Sequence, residues 1–375
     1  MRYVKPEFFS DFKCMAGQCP DTCCAGWQIM IDDKTLEQYE QDRTSFGNRL
    51  LRSIDWQEGS FLQHRGRCAM LNEQNLCDLV IHKGEDWLCD TCSRYPRHVE
   101  EFEGLREWSL SLSCPVAAKM MLTREEPLTF LTEEDDEPDP LEEEFEDFDL
   151  LLFTQLEDGR NILFNIVQNR SLLMEQRKEL VLDLAGQMQT CLDEGRLYDM
   201  DELLEHYAKD AILVEASGDF DGLARFERLK TEFSYLEQLE HLREDWSQVL
   251  EEAKATLYAN GYEHYEHIYN AFNKEFGSGG DRQREWELVQ EQLLMFFLYT
   301  YFCGAVYDDW IYSKAALSVF CVNFIQEFVM CRWFLADKHI DMEDYVELSY
   351  RFAREVEHSD DNLNLLEESM NSETA

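Results

Sequence analysis

Residues 14–24 read CMAGQCPDTCC, so four of the thirteen cysteines of this 375-residue chain fall within one short segment. Five more follow before residue 115, at Cys68, Cys77, Cys89, Cys92 and Cys114. Cysteine at this density is typical of a disulfide framework, a metal site or a redox relay. Residues 1–6, MRYVKP, do not resemble a signal peptide, because no apolar run follows the basic residues. We therefore expect a cytoplasmic protein whose thiols bind a metal ion or an iron–sulfur cluster rather than form disulfides.

The predicted metal ligands lie in three short segments. Cys89 and Cys92 form a C-x2-C turn, which lets two thiolates face one metal from a single loop. With Cys68 and Cys77 just upstream, a four-thiolate site is stereochemically reasonable, and Cys19 and Cys23 are the competing ligands. Zinc and a four-iron cluster use the same ligand set, so spacing does not separate them. The neighbouring histidines, which lack zinc-finger spacing, are better interpreted as surface or core residues; they are His64, His82 and His98.

Two arginines, Arg94 and Arg97, come directly after the C-x2-C turn. The chain has only 34 lysines and arginines, so two guanidinium groups beside the predicted site are unusual for it. We predict that they offset the negative charge of a thiolate cluster or bind a ligand carboxylate.

The charge balance is strongly acidic. Seventy-eight acidic residues against 34 basic ones give a formal net charge of −44. Nucleic acid and anionic membranes would be repelled, so neither is expected as the main partner. A lysine-bearing protein surface would be attracted, although the acidity is equally explained by solubility alone. The longest uncharged apolar run, residues 293–306, is too short for a membrane-spanning helix.

The pattern predicts a mostly α-helical protein with three parts. Residues 1–122 form an irregular cysteine-rich, metal-binding domain, and residues 150–375 form an α-helical domain with apolar residues at helical spacing. Between them, residues 123–149 read as an acidic linker that contains Pro138 and Pro140. In the last part we predict long helices at residues 233–258, 284–306 and 310–335, and a frayed C-terminus at residues 362–375.

Three segments together resemble the flagellin lysine-N-methylase family. The first, residues 14–32, contains the four cysteines followed by AGW and ends in ID; the second, residues 88–97, reads LCDTCSRYPR. The third, residues 109–115, reads SLSLSCP. They cover about the first third of the chain. The helical remainder is similar to the family only in size and character.

The resemblance implies that a methyl group moves from S-adenosylmethionine to lysine side chains of flagellin, and that the cysteine-rich part holds an iron–sulfur cluster, of the four-iron type. The sequence departs from the C-x3-C-x2-C signature of radical S-adenosylmethionine enzymes, since position 26 is Gly26 and the third cysteine comes early as Cys24. A cluster with an open iron could still hold the amino and carboxylate groups of the methyl donor. The alternative is a non-enzymatic zinc- or iron–sulfur-stabilised protein that binds a basic partner or serves redox chemistry.

Overall fold

The region after residue 150 is built from helices, as the spacing of its apolar side chains predicts. The structure is a computed structural model and describes residues 1–136, 145, 148–209 and 222–372. Over these residues the prediction of a mostly helical protein is confirmed. The helices are α1 (Asp33–Glu40), α2 (Ser45–Leu51), α3 (Asp78–Lys83), α4 (Asp90–Arg94), α5 (Pro115–Leu122), α6 (Leu150–Val167), α7 (Met174–Asp193), α8 (Met200–Lys209), α9 (Gly222–Leu236), α10 (Glu244–Ala253), α11 (Tyr262–Phe276), α12 (Gln283–Tyr301), α13 (Ile311–Leu335), α14 (Met342–Glu357) and α15 (Asp360–Ser372).

Strands are confined to the first 134 described residues. They are β1 (Arg2–Pro6), β2 (Ile54–Asp55), β3 (Ser60–Phe61), β4 (Gln63–His64), β5 (Arg67–Cys68), β6 (Arg97–Phe102), β7 (Leu105–Leu110) and β8 (Phe130–Glu134). A four-stranded mixed sheet has the order β6–β7–β1–β8. In it, β1 runs parallel to β7 and antiparallel to β8, while β6 and β7 form an antiparallel hairpin.

The N-terminal region is therefore not irregular throughout, and this part of the prediction is wrong. Strand β1 pairs with a strand a hundred residues later, Arg2 lying opposite Leu105. Short strands that find their partners this far along the chain leave little local signal. The predicted acidic linker also contributes a strand, because β8 lies at the sheet edge opposite β1. Residues 137–144 and 146–147 of that segment lie outside the described residues, and the domain boundaries remain a prediction.

Packing separates a small core from a large one. The large core joins the four-stranded sheet to the helices: the Phe102 ring lies 4.6 Å from that of Phe153 on α6, and Phe130 lies 4.4 Å from Tyr299 on α12. The small core lies within residues 24–92 and contains five of the cysteines. Its fully buried members are Ile29, Ile31, Tyr39, Leu50, Ile54, Phe61, Cys68, Met70, Leu79 and Cys89.

The predicted helix over residues 233–258 is interrupted. Helix α9 ends at Leu236 and α10 begins at Glu244, so residues 237–243 form a connector between them. Its backbone is held by the side chains of Asn362 and Glu355 through the amide groups of Glu240 and Leu242. The predicted helix at residues 310–335 is confirmed as α13.

The C-terminal segment is also more ordered than predicted. Helix α15 extends to Ser372 and buries Leu366 and Met370, so the prediction of fraying is wrong for residues 362–372. Residues 373–375 lie outside the described part of the chain.

Among the described residues, α13 is the one helix long and apolar enough to cross a membrane by length and composition. Its most apolar 18-residue window is wholly buried in the protein. A core helix has the same property, so α13 is weak evidence for a membrane span.

Candidate active site

Two adjoining cavities open where the small core meets the helices. The larger, with a volume of about 650 Å³, is here called the acidic cleft. Its lining includes Trp27, Gln63 and His358 together with four acidic residues, Asp55, Glu240, Asp360 and Asp361. The smaller, about 430 Å³, is called the arginine pocket because Arg65, Arg67 and Arg243 line it. Gly26, Gly66 and Leu242 belong to the walls of both cavities.

The connector between α9 and α10 supplies one wall of both cavities. Its Glu240 and Leu242 line the acidic cleft, and its Leu242 and Arg243 line the arginine pocket. The Glu355 carboxylate on α14 accepts a 2.8 Å hydrogen bond from the Leu242 amide, while its other oxygen is buried without a partner. Burial raises the pKa of Glu355 to about 7. The connector thus rests on a carboxyl group that titrates near neutrality.

Asp21 ties the cysteine-rich loop to the helices. Its carboxylate lies 2.6 Å from Arg354 on α14 and 3.0 Å from Arg243 on the connector. Arg354 also donates to the carbonyl groups of Asp21 and Ser113. Because Asp21 lies between Cys19 and Cys23, this ion pair holds the cysteine-rich loop at the mouth of the arginine pocket.

His358 and Trp27 form the back of the acidic cleft. Their rings lie 4.4 Å apart, and the His358 Nε2 atom lies 3.0 Å from the Ser113 hydroxyl. The Trp27 indole N–H donates to the Cys23 carbonyl at 2.7 Å. Burial, with the nearby Arg354 charge, lowers the pKa of His358 to about 3, so the imidazole is neutral at physiological pH. A neutral ring does not repel a cation in the cleft.

The structure sorts the nine N-terminal cysteines into two groups. In the first group, the thiols of Cys14, Cys19, Cys23 and Cys114 interact electrostatically with one another. In the second group, Cys24, Cys68, Cys77, Cys89 and Cys92 belong to the small core. The Cys68 amide donates to the Cys24 carbonyl at 2.9 Å, which brings the two chain segments of this group together.

The predicted ligands fall in both groups. Cys68, Cys77, Cys89 and Cys92 come together in the second group, and Cys24 lies with them. Cys19 and Cys23 belong to the first group, and the hydrogen bond between Cys23 and Cys24 connects the two groups. Over the described ranges, no group of three or more Cys, His, Asp or Glu side chains is arranged so that it could hold a metal ion.

Within each of two close cysteine pairs the thiols are hydrogen-bonded to each other, and the pKa of one thiol is lowered. The hydrogen bond with Cys23 lowers the pKa of Cys24 to about 7, and that with Cys92 lowers the pKa of Cys89. Burial raises the pKa of Cys68 to about 12. Thiols buried this deeply bind a proton tightly unless a cation replaces it.

Arg94 and Arg97 do not line either cavity. Arg94 is exposed and lies 3.2 Å from Asp90 of its own helix. Arg97 lies over the Phe12 ring at 5.2 Å. The guanidinium groups that line a cavity are instead Arg65, Arg67 and Arg243. Sequence reasoning missed them because residues 65, 67 and 243 are brought together only by the fold.

The comparisons give a family match over the helical part. Residues 160–375 match the model of the FliB lysine N-methylase C-terminal domain. The chain is 32% identical over 128 residues to the flagellar biosynthetic protein FliU of Salmonella muenchen, a match that covers 32% of this chain and 76% of the relative. It is 31% identical over 128 residues to the lysine-N-methylases of Salmonella choleraesuis and Salmonella typhimurium, covering 32% of this chain and 32% of each relative. The matched part is thus about a third of these two lysine-N-methylases. No solved structure matches the chain.

Proposed function

Because the chain belongs to the FliB lysine N-methylase family, we propose that it is a protein-lysine methyltransferase that moves a methyl group from S-adenosylmethionine to flagellin lysines. Family membership supports the methyltransferase role. The donor and the flagellar substrate rest on the resemblance of the cysteine segments and on the flagellar names of the relatives.

The acidic cleft is the observation that carries this proposal. Four carboxylates and one tryptophan face a space of about 650 Å³, which suits a cationic side chain. Trp27 lines the cleft, and a cation–π contact with its ring would be worth about 0.5–2 kcal/mol. The net charge of −44 adds a long-range field that raises the encounter rate with a lysine-rich surface.

The chemistry asked of the cleft is modest. A neutral lysine nitrogen attacks the methyl carbon of the sulfonium, the C–S bond breaks, and its electron pair stays on the sulfur. The nitrogen then loses a proton to a carboxylate of the cleft or to water. The protein contributes by aligning the two reactants and by giving the proton a destination. Asp360 and Asp361 follow His358 closely along the chain and line the same cleft. They are the carboxylates that we propose accept this proton.

The iron–sulfur cluster is proposed on the chemistry of its donors. Five thiols share the small core, of which Cys68, Cys77, Cys89 and Cys92 are the predicted ligands and Cys24 is a fifth donor. Thiolates are the ligands of such clusters, and zinc would use the same set. When bound, a cluster would supply an iron or redox centre beside the cavities.

The test is a mass-spectrometric methylation assay of flagellin with S-adenosylmethionine, using the full chain purified without oxygen. We expect methyl incorporation that falls as salt rises, since the Debye length is ~10 Å at 0.1 M. Activity should increase on the alkaline side, because the attacking lysine must be neutral and its reference pKa is ~10.4. If no lysine gains a methyl group, the methyltransferase proposal fails and a binding or redox role takes its place.

A matched pair of variants tests the cleft itself. Trp27→Leu should raise the acceptor KM about 3- to 30-fold, the loss of one cation–π contact. Trp27→Phe keeps a ring in place and should stay close to wild type. If the two variants have the same acceptor KM, the ring of Trp27 does not contribute to substrate binding.

A further inference from the structure

The arginine pocket stands out in a chain that has 34 basic residues against 78 acidic ones. Three arginines from two distant segments line it, and it opens beside the acidic cleft along the shared wall of Gly26, Gly66 and Leu242. The two cavities therefore offer opposite charges to a single ligand. A volume of about 430 Å³ lies in the range of small-molecule sites.

The two carboxylates that line the pocket already have arginine partners. Asp21 and Asp245 both line it, and Arg243 lies 3.0 Å from the first and 3.2 Å from the second. Each also has an arginine that does not line the pocket: Arg354 lies 2.6 Å from Asp21, and Arg351 lies 2.6 Å from Asp245. Neither carboxylate therefore needs Arg65 or Arg67, although the charge of Arg67 also helps to lower the pKa of the Cys24 thiol.

Neither of these two arginines forms an ion pair in the described structure. Arg67 is half-buried and donates to the neutral side-chain oxygen of Asn75 at 2.7 Å. Arg65 is exposed at the tip of the β4–β5 hairpin, where the φ angles of Arg65 and Gly66 are +54° and +70°. Asn, Asp and Gly are the usual residues of such a turn, so an arginine there is held at a cost of about 1–3 kcal/mol.

We propose that the arginine pocket binds a carboxylate, namely the α-carboxylate of the amino-acid part of the methyl donor. This inference rests on the methyltransferase function proposed above. Arg65 and Arg67 form charge-assisted hydrogen bonds to the carboxylate, for which the planar guanidinium fork is well matched. The donor then extends across the shared wall, and its sulfonium centre enters the acidic cleft. Gly26 and Gly66 add no side chains to that wall, so Leu242 is its one residue with a side chain.

Calorimetric titration of the full chain tests this with two ligands that differ in the amino-acid part. S-adenosylhomocysteine has it, and 5′-methylthioadenosine does not. Wild type should bind the first more tightly. Arg65→Gln and Arg67→Gln should each weaken S-adenosylhomocysteine about tenfold and leave 5′-methylthioadenosine unchanged, the loss of one hydrogen bond to a charged group. Arg94→Gln is the control, because it removes an exposed arginine outside the pocket.

Arg65 is exposed on a turn, so its variant keeps the test meaningful if Arg67→Gln fails to fold. Unchanged S-adenosylhomocysteine binding in Arg65→Gln, or an equal loss for both ligands, overturns the assignment. So does a raised KM for a flagellin peptide with donor binding intact, which would place an acidic residue of the acceptor in the pocket. If metal removal, and not Arg65→Gln, erases the preference for S-adenosylhomocysteine, the carboxylate belongs to the metal.

The failure of this inference can be told apart from failure of the proposed function. A chain that methylates flagellin while its Arg65 and Arg67 variants bind the donor normally refutes only the pocket. A wild-type chain that binds neither ligand and transfers no methyl group refutes both.

Discussion

The small core and the large core hold together by different means. The small core has ten fully buried apolar residues, strands of two residues and helices of five to eight. The large core has helices of up to 25 residues and more than seventy buried apolar side chains. Apolar burial stabilises the large core by itself, whereas a core as small as the other usually needs a cross-link or a metal. The thiols are concentrated where burial is weakest.

The two cores also differ in their buried charged groups. The large core contains several buried ion pairs. The fully buried Glu327 accepts hydrogen bonds from Arg225 at 2.9 Å and from Tyr258 at 2.8 Å. The region of the small core has such a pair, between Lys83 and the buried Asp42, and it also has hydrogen-bonded thiol pairs at Cys23–Cys24, on its border, and at Cys89–Cys92. Among the described residues, six of the chain's 34 lysines and arginines are buried in helices: Arg160, Arg177, Lys178, Arg225, Lys314 and Arg354. The surplus of acid is left for the surface and the cleft.

The largest effect should come from removing the proposed metal or cluster. Structural zinc contributes about 10–16 kcal/mol to small domains, so a chelator should abolish hydrogen-exchange protection in residues 24–92 and leave α12 and α13 protected. Cys89→Ser should lose bound metal, whereas Cys321→Ala, buried in α13, should keep it. Full metal content in Cys89→Ser, or protection that survives the chelator, would show that apolar burial alone holds the small core.

The next largest loss of stability should come from breaking a buried ion pair. Glu327→Ala leaves the Arg225 charge buried without its carboxylate, which costs about 3–5 kcal/mol. Denaturant unfolding of the full chain measures the loss. Glu263→Ala, an exposed change on the neighbouring α11, should stay within about 0.5 kcal/mol. Similar midpoints for the two variants would mean that the Arg225 charge has found another partner.

Measuring the free energy of unfolding against pH tests the contact between the connector and Glu355. The pKa of Glu355 is raised from 4.5 to about 7 in the folded state, so its stabilising contribution is complete below pH 4.5 and is lost as the pH rises to 7. Glu355→Gln should remove about 3 kcal/mol of this decline. Part of the slope should remain, because burial also raises the pKa of Glu357 to about 7. Glu368→Gln, an exposed control, should leave the slope intact. An unchanged slope in Glu355→Gln would contradict the burial argument.

The smallest effect concerns the contact between the two regions. Gly26 has a φ of +88°, and a Cβ there would lie 2.8 Å from the Arg243 side chain. Gly84 has nearly the same φ, +89°, with open space around it. Gly26→Ala should therefore destabilise the chain by about 2 kcal/mol more than Gly84→Ala and should lower methyl transfer. Equal thermal stability of the two variants would mean that backbone strain alone matters and that the contact with Arg243 yields easily.

The sequence predicted what depends on nearest neighbours along the chain. The apolar spacing after residue 150 predicts helices because each buried face is made locally, and α13 matches its predicted limits within one residue. The C-x2-C spacing predicts that Cys89 and Cys92 lie close together, and the two thiols are hydrogen-bonded, although they lie at the start of α4 and not in a loop. The helix predicted at 233–258 failed because its interruption is imposed by distant groups, Glu355 and Asn362.

By itself, then, the amino-acid sequence determined the helical class, the supply of thiols and the acidic field, since these follow from composition and short-range spacing. Only the tertiary structure decided that Cys24 lies in the small core with Cys68, Cys77, Cys89 and Cys92, and that β8 completes a sheet from within an acidic segment. It also decided that Arg65, Arg67 and Arg243 meet in one pocket. Each of these arrangements brings together segments that are distant along the chain, so no short stretch of sequence indicates it, and its cost in chain entropy is repaid only by the burial that the folded structure provides.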